Sequence, residues 1–375
     1  MSTELNTYID ALKLDKSSWE KVKFGDVAIQ QKESVDRDNN SLTRYVKGEH
    51  MVSEDLHIRE WGDLKDEYLG PAFIRKFSKG DILYGSRRTY LRKVAIADFD
   101  GITSNTTFVI KANPKKIDER LLPFIMLSEG FAEHSIKNSK GSVNPYINWK
   151  DIANYQFLLP PKDQQARLAS LLWALDEVME REREVLEGLE RTKFLLLNFA
   201  FNKNTCRKVI LKDIAKSLDN RRIPIRSSDR IYGPYPYYGA SGVVDFIDKY
   251  IFDEPILLIS EDGENLLSRK LPIAYSVDEK CWVNNHAHVL QITNESRYLV
   301  KEFFNFTNVA DYVTGGTRPK ITKGMLMEIP IYLPDEMNSS SIEKKLILSD
   351  TSIKKAKEKI ASSNKLQKSL INQIF

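Results

Sequence analysis

Residues 141–160 read GSVNPYINWKDIANYQFLLP, and residues 316–334 read GTRPKITKGMLMEIPIYLP. Pro145 and Pro319, Ile147 and Ile321, and Pro160 and Pro334 each stand 174 residues apart. A separation held over several landmarks marks the duplication of one large unit, not a short-period solenoid. Upstream the two copies keep the same order of motifs, though not the same separation. VKFGDVA at 22–28 is answered by VILKDIA at 209–215, and GDILYG at 80–85 by PILLIS at 255–260. GITSNTTFVIK at 101–111 is answered by CWVNNHAHVLQI at 281–292. TTFVI and AHVLQI alternate with the period of a half-buried strand. Each unit reads as a small α+β globule rich in strands and loops.

Downstream, both copies turn into a long helix. From Asp163 to Phe201 the only Gly or Pro is Gly188. Leu168, Leu172, Leu175, Met179, Leu186, Leu189, Leu196 and Ala200 recur in steps of threes and fours, with Glu182 and Lys193 as polar entries in the row. The final segment repeats the row through Ile342, Leu346, Ile353, Ala356, Ile360, Leu370 and Ile374, interrupted by Ser349, Ser363 and Gln367. A heptad-like seam of this length predicts coiled-coil pairing. Two unrelated amphipathic surface helices are the plainer alternative. Charge favours pairing: residues 163–201 carry eight acids and five bases, whereas 342–375 carry eight lysines and three acids. Unlike helices attract, and a tandem duplication with local two-fold symmetry makes the pair antiparallel. The predicted organisation is an N-terminal segment (1–18), a first unit (19–160), a first long helix (161–204), a second unit (205–335) and a second long helix (336–375). At 1.5 Å per residue each helix spans ~57 Å, enough to hold two globules apart.

Composition sets outer bounds. With 375 residues the chain can bury two or three cores. Cys206 and Cys281 are the only cysteines, too few for a disulfide framework and without metal-ligand spacing, so a reducing cytoplasm is expected. The sequence holds no signal-peptide-like or membrane-length apolar run. A formal charge of +4 permits nucleic acid but requires local clustering of Lys and Arg.

Catalytic motifs are incomplete. Asn144-Pro145-Tyr146 lacks the second proline of an amino-methyltransferase motif, and no Gly-rich methyl-donor turn precedes it. Asp335, Glu343, Lys344 and Lys345 only loosely match a nuclease metal site, because Glu343 falls on a helix pattern. His286 and His288 alternate on one strand pattern, which places them on one face, but no third ligand accompanies them. Gly315-Gly316 is not followed by the Gly-Lys-Ser/Thr of a phosphate loop. No catalytic, metal or cofactor residues are therefore assigned.

The loops carry a different inventory. In the first unit it comprises Arg37, Arg44, Ser86, Arg87, Arg88, Tyr90, Arg92, Asn105, Thr106, Lys140, Ser142, Asn144 and Tyr146. In the second it comprises Arg221, Arg222, Arg226, Tyr238, Ser241, Asn284, Asn285, His286, Thr317, Arg318 and Lys320. Arg forks onto guanine, Asn bridges adenine, and hydroxyls and amides hold phosphates. Any one such loop is commonly just a solvated turn; recurrence at matched places in both copies points to double-stranded DNA. Frameworks match while loop contents differ, as expected for two readers of different targets and not for a palindrome reader.

The layout resembles the specificity subunit of a Type I restriction–modification system. The resemblance covers nearly the whole chain and rests on GDILYGSRRTYLRKVAIADFDGITSNTTFVI, on YPYYGASG, PILLISEDG and NNHAHVL, and on the junction LLPPKDQQARLASLLWALDEV. In the second junction the Gln pair is replaced by Asn338-Ser339. The resemblance implies two target-recognition domains joined by an antiparallel coiled coil and a split, asymmetric DNA site. It further implies two modification subunits that carry S-adenosylmethionine and methylate adenine, and a restriction subunit that uses ATP and Mg²⁺. A coiled-coil scaffold that grips proteins instead of DNA is the competing reading. If the helices act as a ruler, removing one heptad from both should shorten the unread spacer by ~10 Å, about three base pairs. Mapping the recognised sequence checks this, and an unchanged spacer would refute the ruler.

Overall fold

A computed structural model describes residues 14–36, 40–66 and 68–375. Arg37 and residues 1–13 of the N-terminal segment lie outside the described residues. The chain forms two compact units, one of Met1–Glu184 with Glu358–Phe375 and the other of Val185–Lys357. In unit 1 the strands are β1 (Glu20–Lys23), β2 (Ala28–Gln31), β3 (Arg44–Val46), β4 (Gly62–Asp63), β5 (Phe73–Phe77), β6 (Ile82–Gly85), β7 (Val94–Ile96), β8 (Gly101–Ser104), β9 (Thr107–Ala112) and β10 (Gln156–Leu159). In unit 2 they are β11 (Arg207–Ile210), β12 (Ala215–Ser217), β13 (Tyr235–Gly239), β14 (Gly242–Ile247), β15 (Ile256–Ser260), β16 (Ala274–Val277), β17 (Trp282–Val283), β18 (Ala287–Ile292) and β19 (Pro330–Leu333).

The duplication is repeated strand for strand in two of the three sheets. Unit 1 has the order β2-β9-β6-β7 and unit 2 the order β12-β18-β15-β16, antiparallel throughout. The first strand of each unit pairs antiparallel with its last, β1 with β10 and β11 with β19. The third sheet differs, β4-β3-β8-β5 against β14-β13-β17, although each keeps one parallel pair, β3–β8 and β13–β17.

Local chemistry explains the repeated opening. In VKFGDVA, the Asp26 carboxylate accepts the Lys23 N–H at 3.1 Å and starts the single-turn helix Phe24–Val27, whose Phe24 and Val27 side chains are buried. The second copy makes the same turn at Leu211–Ile214, burying Leu211 and Ile214. Helices complete each core: Leu122–Leu127 is buried along its whole length in unit 1, and Arg297–Phe306 inserts Phe303 and Phe304 in unit 2. Aromatic rings tie strand to helix in unit 1, where Tyr84 of β6 meets Phe131 edge-on at 5.7 Å between centroids.

The two long helices run Lys162–Ala200 and Glu336–Ile374. Every position of both periodic rows is buried or half-buried. In unit 1, Asp176 faces Gln367 (3.3 Å) and Glu182 faces Ser363 (3.1 Å) and Lys359 (3.5 Å), so the helices run antiparallel. In unit 2 the same sense holds, with Glu190 against Lys357 (2.7 Å) and Lys193 against Asp350 (2.6 Å). Of the polar entries that interrupt the apolar rows, Glu182 and Ser363 partner each other, Gln367 partners Asp176 and Lys193 partners Asp350, and such pairs are the device by which a coiled coil fixes its register. Burial works against the Lys193 ammonium, yet Asp350 and Glu302 hold its pKa above the usual lysine range. The Gln pair at the start of the first long helix is also used. Gln164 accepts the Trp19 indole N–H (3.0 Å), and buried Gln165 accepts the Asp118 N–H (2.7 Å) while donating to the Pro160 carbonyl (2.8 Å).

Leu346 is fully buried in the core of unit 2, whereas Leu348, two residues on, is 65% exposed. Leu346→Ala is expected to cost roughly 2–5 kcal/mol in urea-monitored unfolding, and Leu348→Ala within about 0.5 kcal/mol. Equal costs would mean that this seam position is not a packing position.

Candidate nucleic-acid interface

In unit 1 the site is built on the end of β6. After Gly85 the chain enters Ser86-Arg87-Arg88 and a 3₁₀ turn, Thr89–Leu91, flanked by Arg88 and Arg92, both left-handed (φ 49° and 48°). Left-handed arginines are uncommon and tend to cluster at functional sites. The loop is latched to residues 139–147. Ile147, buried, donates its N–H to the Ser86 carbonyl (2.9 Å), and Arg88 N–H donates to the Pro145 carbonyl (2.6 Å). Lys140 and Tyr146 exchange backbone bonds of 2.8 and 2.9 Å across a turn through Gly141, whose φ of 92° suits glycine. The Pro145 and Ile147 landmarks of the duplication are therefore the latch. Ser86 is buried and donates its hydroxyl to the Thr106 carbonyl, which draws the Asn105–Thr106 turn to the same place.

This arrangement exposes Arg87, Arg88, Tyr90, Asn105, Lys140, Ser142, Asn144 and Tyr146 on one loop cluster. Arg88 Nε donates to Asn144 Oδ1 (2.9 Å), and Lys140 lies 3.4 Å from Asp151. Among the described residues, no carboxylate lies within 4.0 Å of the Arg87 guanidinium.

Unit 2 uses the same latch with different side chains. Ile321 N–H donates to the Glu261 carbonyl and Gly263 N–H to the Pro319 carbonyl, both at 2.9 Å. Lys320 and Thr314 exchange backbone bonds of 2.8 and 2.7 Å, as Tyr146 and Lys140 do. Gly315 has a φ of 87°, and a Cβ there would stand 2.6 Å from the Arg318 carbonyl oxygen, so the turn demands glycine. By this register Asp262 stands where unit 1 has Arg87, and Arg318 where it has Asn144. Asp262 accepts from Arg318 Nη2 (2.9 Å) and faces His286 Nδ1 (2.9 Å). Glu261 is buried among Lys320 (2.8 Å), Arg222 and His288 (3.8 Å). Burial opposes its charge, but the Lys320 and Arg222 hydrogen bonds keep its pKa below the usual carboxylate range.

The remaining sequence-selected residues lie elsewhere or face inward. Arg44 lies on β3, its guanidinium over the Trp61 and Phe99 rings at 4.8 and 5.0 Å. Arg92 is drawn in by Glu54 and Glu129, both at 2.8 Å, and by the Leu127 carbonyl. Arg221 pairs with Glu254 and lies 4.6 Å over the Phe252 ring, while Arg222 donates to the Ala287 carbonyl at 2.9 Å. Tyr238 is buried, with its phenol pushed up to about 12 by that burial. Ser241 lines a cleft of about 630 Å³ beside it. Asn284 is buried and accepts the His286 N–H (2.8 Å), whereas Asn285, Thr317 and Arg226 are exposed. His286 precedes β18, turned toward Asp262. His288, 1% exposed, bonds Asp219 (2.7 Å) and the Ile321 carbonyl (2.9 Å) from within the core, so the two histidines have separate partners. Glu261 and Asp262 belong to SEDGE (260–264), a loop that sequence reading includes among the second unit's candidates without selecting either acid as a site residue.

The family model of the Type I restriction modification DNA specificity domain matches residues 16–191 and again 204–362. The chain belongs to this family, in two copies. Over 126 residues it is 36% identical to S.HindORF215P of Haemophilus influenzae, named as a type I restriction enzyme specificity subunit, covering 33% of this chain and 32% of that one. Over 172 residues it is 27% identical to the type I restriction enzyme EcoDI specificity subunit of Escherichia coli, covering 44% and 37%. The chain thus spans about a third of the length of the curated relatives it matches. In fold it is similar to the crystal structure of the type I restriction–modification S subunit from M. genitalium, with a TM-score of 0.63 at 14% identity over 97% of this chain and 98% of that one.

Among the described residues one group has metal-type donors within reach of each other, Asp55, His57 and Glu180. The group is already filled by cations of the protein. Arg59 bonds Asp55 (2.8 Å) and Glu180 (2.6 Å), Arg183 lies 3.7 Å from Asp55, and His57 Nε2 lies 2.9 Å from Asp176. It is an ion-pair network that docks the loop around residues 53–60 onto the first long helix. The hydrogen bond to Asp176 raises the His57 pKa despite partial burial. A raised folded-state pKa adds stability that is fully present below about pH 6.5 and lost as pH rises through the folded value. His57→Ala is therefore expected to lower the unfolding midpoint more at pH 6 than at pH 9. An equal loss at both would exclude a charged His57.

Proposed function

We propose that this chain is the DNA-reading subunit of a type I restriction–modification assembly. Each unit reads one half of a split, asymmetric duplex site, and the chemistry resides in partners. Those partners are two modification subunits that methylate adenine with S-adenosylmethionine and a restriction subunit that uses ATP and Mg²⁺. The observation that carries the reading is the pair of identically latched loop clusters with unlike side chains, Arg87, Arg88 and Asn144 against Asp262, Gly263 and Arg318. A shared frame with divergent tips suits the same task on two different sequences. No helix among the described residues is long and apolar enough to cross a membrane, in keeping with a cytoplasmic assembly.

Exposed Arg and Lys heads supply affinity through phosphates, each neutralised phosphate adding about 0.9 to the slope of log affinity against log salt. Tip side chains supply base discrimination, roughly 1–3 kcal/mol for each good bidentate pair.

The test is to map methylated adenines in cells with this chain, without it, and with residues 206–335 exchanged for those of another family member. The expected outcome is a two-part methylated sequence that vanishes without the chain and changes in one half only after the exchange. Change in both halves, or duplex binding indifferent to salt and sequence, would favour a protein-binding scaffold. Purified chain supplied with S-adenosylmethionine or Mg²⁺ is expected to show no turnover.

A further inference from the structure

A side chain that reads a base edge must be exposed, held in a fixed plane and left with two free N–H groups. Most arginines of the loop clusters fail one of these conditions. Arg92 and Arg222 are drawn into internal ion pairs, with side chains 13% and 14% exposed. Arg87 is exposed, and among the described residues no carboxylate or side-chain partner fixes it.

Two arginines meet all three conditions. Arg88 is anchored at its backbone by the Pro145 carbonyl and at Nε by Asn144 Oδ1 (2.9 Å). Among the described residues both of its Nη groups are free. Arg318 has a side chain 63% exposed, and its Nη2 is held by Asp262 Oδ1 at 2.9 Å. His286 Nδ1 lies 3.1 and 2.9 Å from the two oxygens of the same carboxylate and 3.1 Å from Arg318 Nη2. Among the described residues Arg318 Nη1 is free and, with the second N–H of Nη2, makes the end-on pair of donors. The register makes the relation reciprocal. In unit 1 the arginine comes from the loop after β6 and its brace from the facing loop; in unit 2 the arginine comes from the facing loop and its brace from the loop after β15.

We propose that Arg88 and Arg318 are the guanine-reading residues of the two half-sites, and that Asn144 and Asp262 are the positioning residues that aim them. The proposal rests on the DNA-reading function above. A braced guanidinium offers paired donors matched to guanine O6 and N7, whereas an unbraced Arg87 serves as a phosphate contact.

The experiment is selection of bound duplexes from a randomised pool by the full-length chain and its variants, scoring base preference at every position. Arg88→Ala is expected to reduce a guanine preference about tenfold or more at one position of one half-site. Arg318→Ala should do the same in the other half-site. Arg88→Lys and Arg318→Lys should not restore the preference, because lysine lacks the fork. Asp262→Asn should loosen the same position as Arg318→Ala, a change that a merely structural role would not confine to one base. Arg87→Ala should weaken all sequences alike and reduce the salt slope by about 1. In each variant the untouched half-site reports that the chain is folded. If Arg88→Ala and Arg318→Ala lower affinity uniformly with preferences intact, the assignment is overturned while the DNA-reading function stands. A wild-type chain that selects no sequence overturns both.

Discussion

Each unit is closed by antiparallel pairing of its first strand with its last. In unit 1, Glu20 stands opposite Leu159, and Lys23 opposite Gln156. In unit 2, Arg207 stands opposite Leu333, and Ile210 opposite Pro330. Bringing residues so distant in sequence side by side carries a loop-closure cost that grows only slowly with length. What it yields is a fixed exit, since Pro160 and Pro334 end the strands and the helices begin at Lys162 and Glu336. Leu168, Ala169 and Leu172 then join the core of unit 1, and Ile342 and Leu346 that of unit 2. Helix and globule share one core in each unit, so the helix is part of the domain and not an appendage.

The loop clusters obey a different economy. Their latch is main chain: an isoleucine N–H to a carbonyl, and a proline carbonyl to an N–H. Each such bond contributes about 1 kcal/mol net, and a fully buried isoleucine about 1.5–3 kcal/mol. None of that depends on the side chains at the tips. Arg87 can become Asp262 and Asn144 can become Arg318 without disturbing the frame. Divergence at the tips is therefore energetically cheap, whereas loss of Ile147, Ile321 or the left-handed Gly315 is not.

The same division decides what the sequence discloses. The duplication, its strand-rich α+β character and the helical seam follow from periodicity and matched landmarks, because burial imposes a pattern that composition must obey. The Leu168–Ala200 row was legible for this reason, and so were Glu182, Lys193, Ser363 and Gln367 as its polar entries. Their pairing with Asp176, Asp350 and each other was not, since register is a property of two segments. Tyr238, Asn284 and Arg92 have the residue types of a binding loop yet face inward, because the same amides, phenols and guanidiniums that bind phosphate also satisfy buried carbonyls and carboxylates. Asp55, His57 and Arg59 gave no signal at all: their partners Asp176, Glu180 and Arg183 stand more than a hundred residues away.

Charge reversal at one register position makes the two halves unlike in kind. Among the described residues of unit 1, Arg87 and Arg88 face solvent without a carboxylate partner, and Lys140 has Asp151 at 3.4 Å. In unit 2, Glu261 and Asp262 meet Lys320, Arg222 and Arg318, so much of the positive charge is neutralised before any ligand arrives. A buried carboxylate is tolerated only when it is paired this fully, because desolvation otherwise forces it to protonate. Glu261 therefore fixes loop shape at the expense of field. On the DNA-reading function proposed above, the unneutralised charge of unit 1 adds long-range attraction, while each unit keeps one oriented arginine for short-range discrimination, where an oriented donor counts for more than net charge.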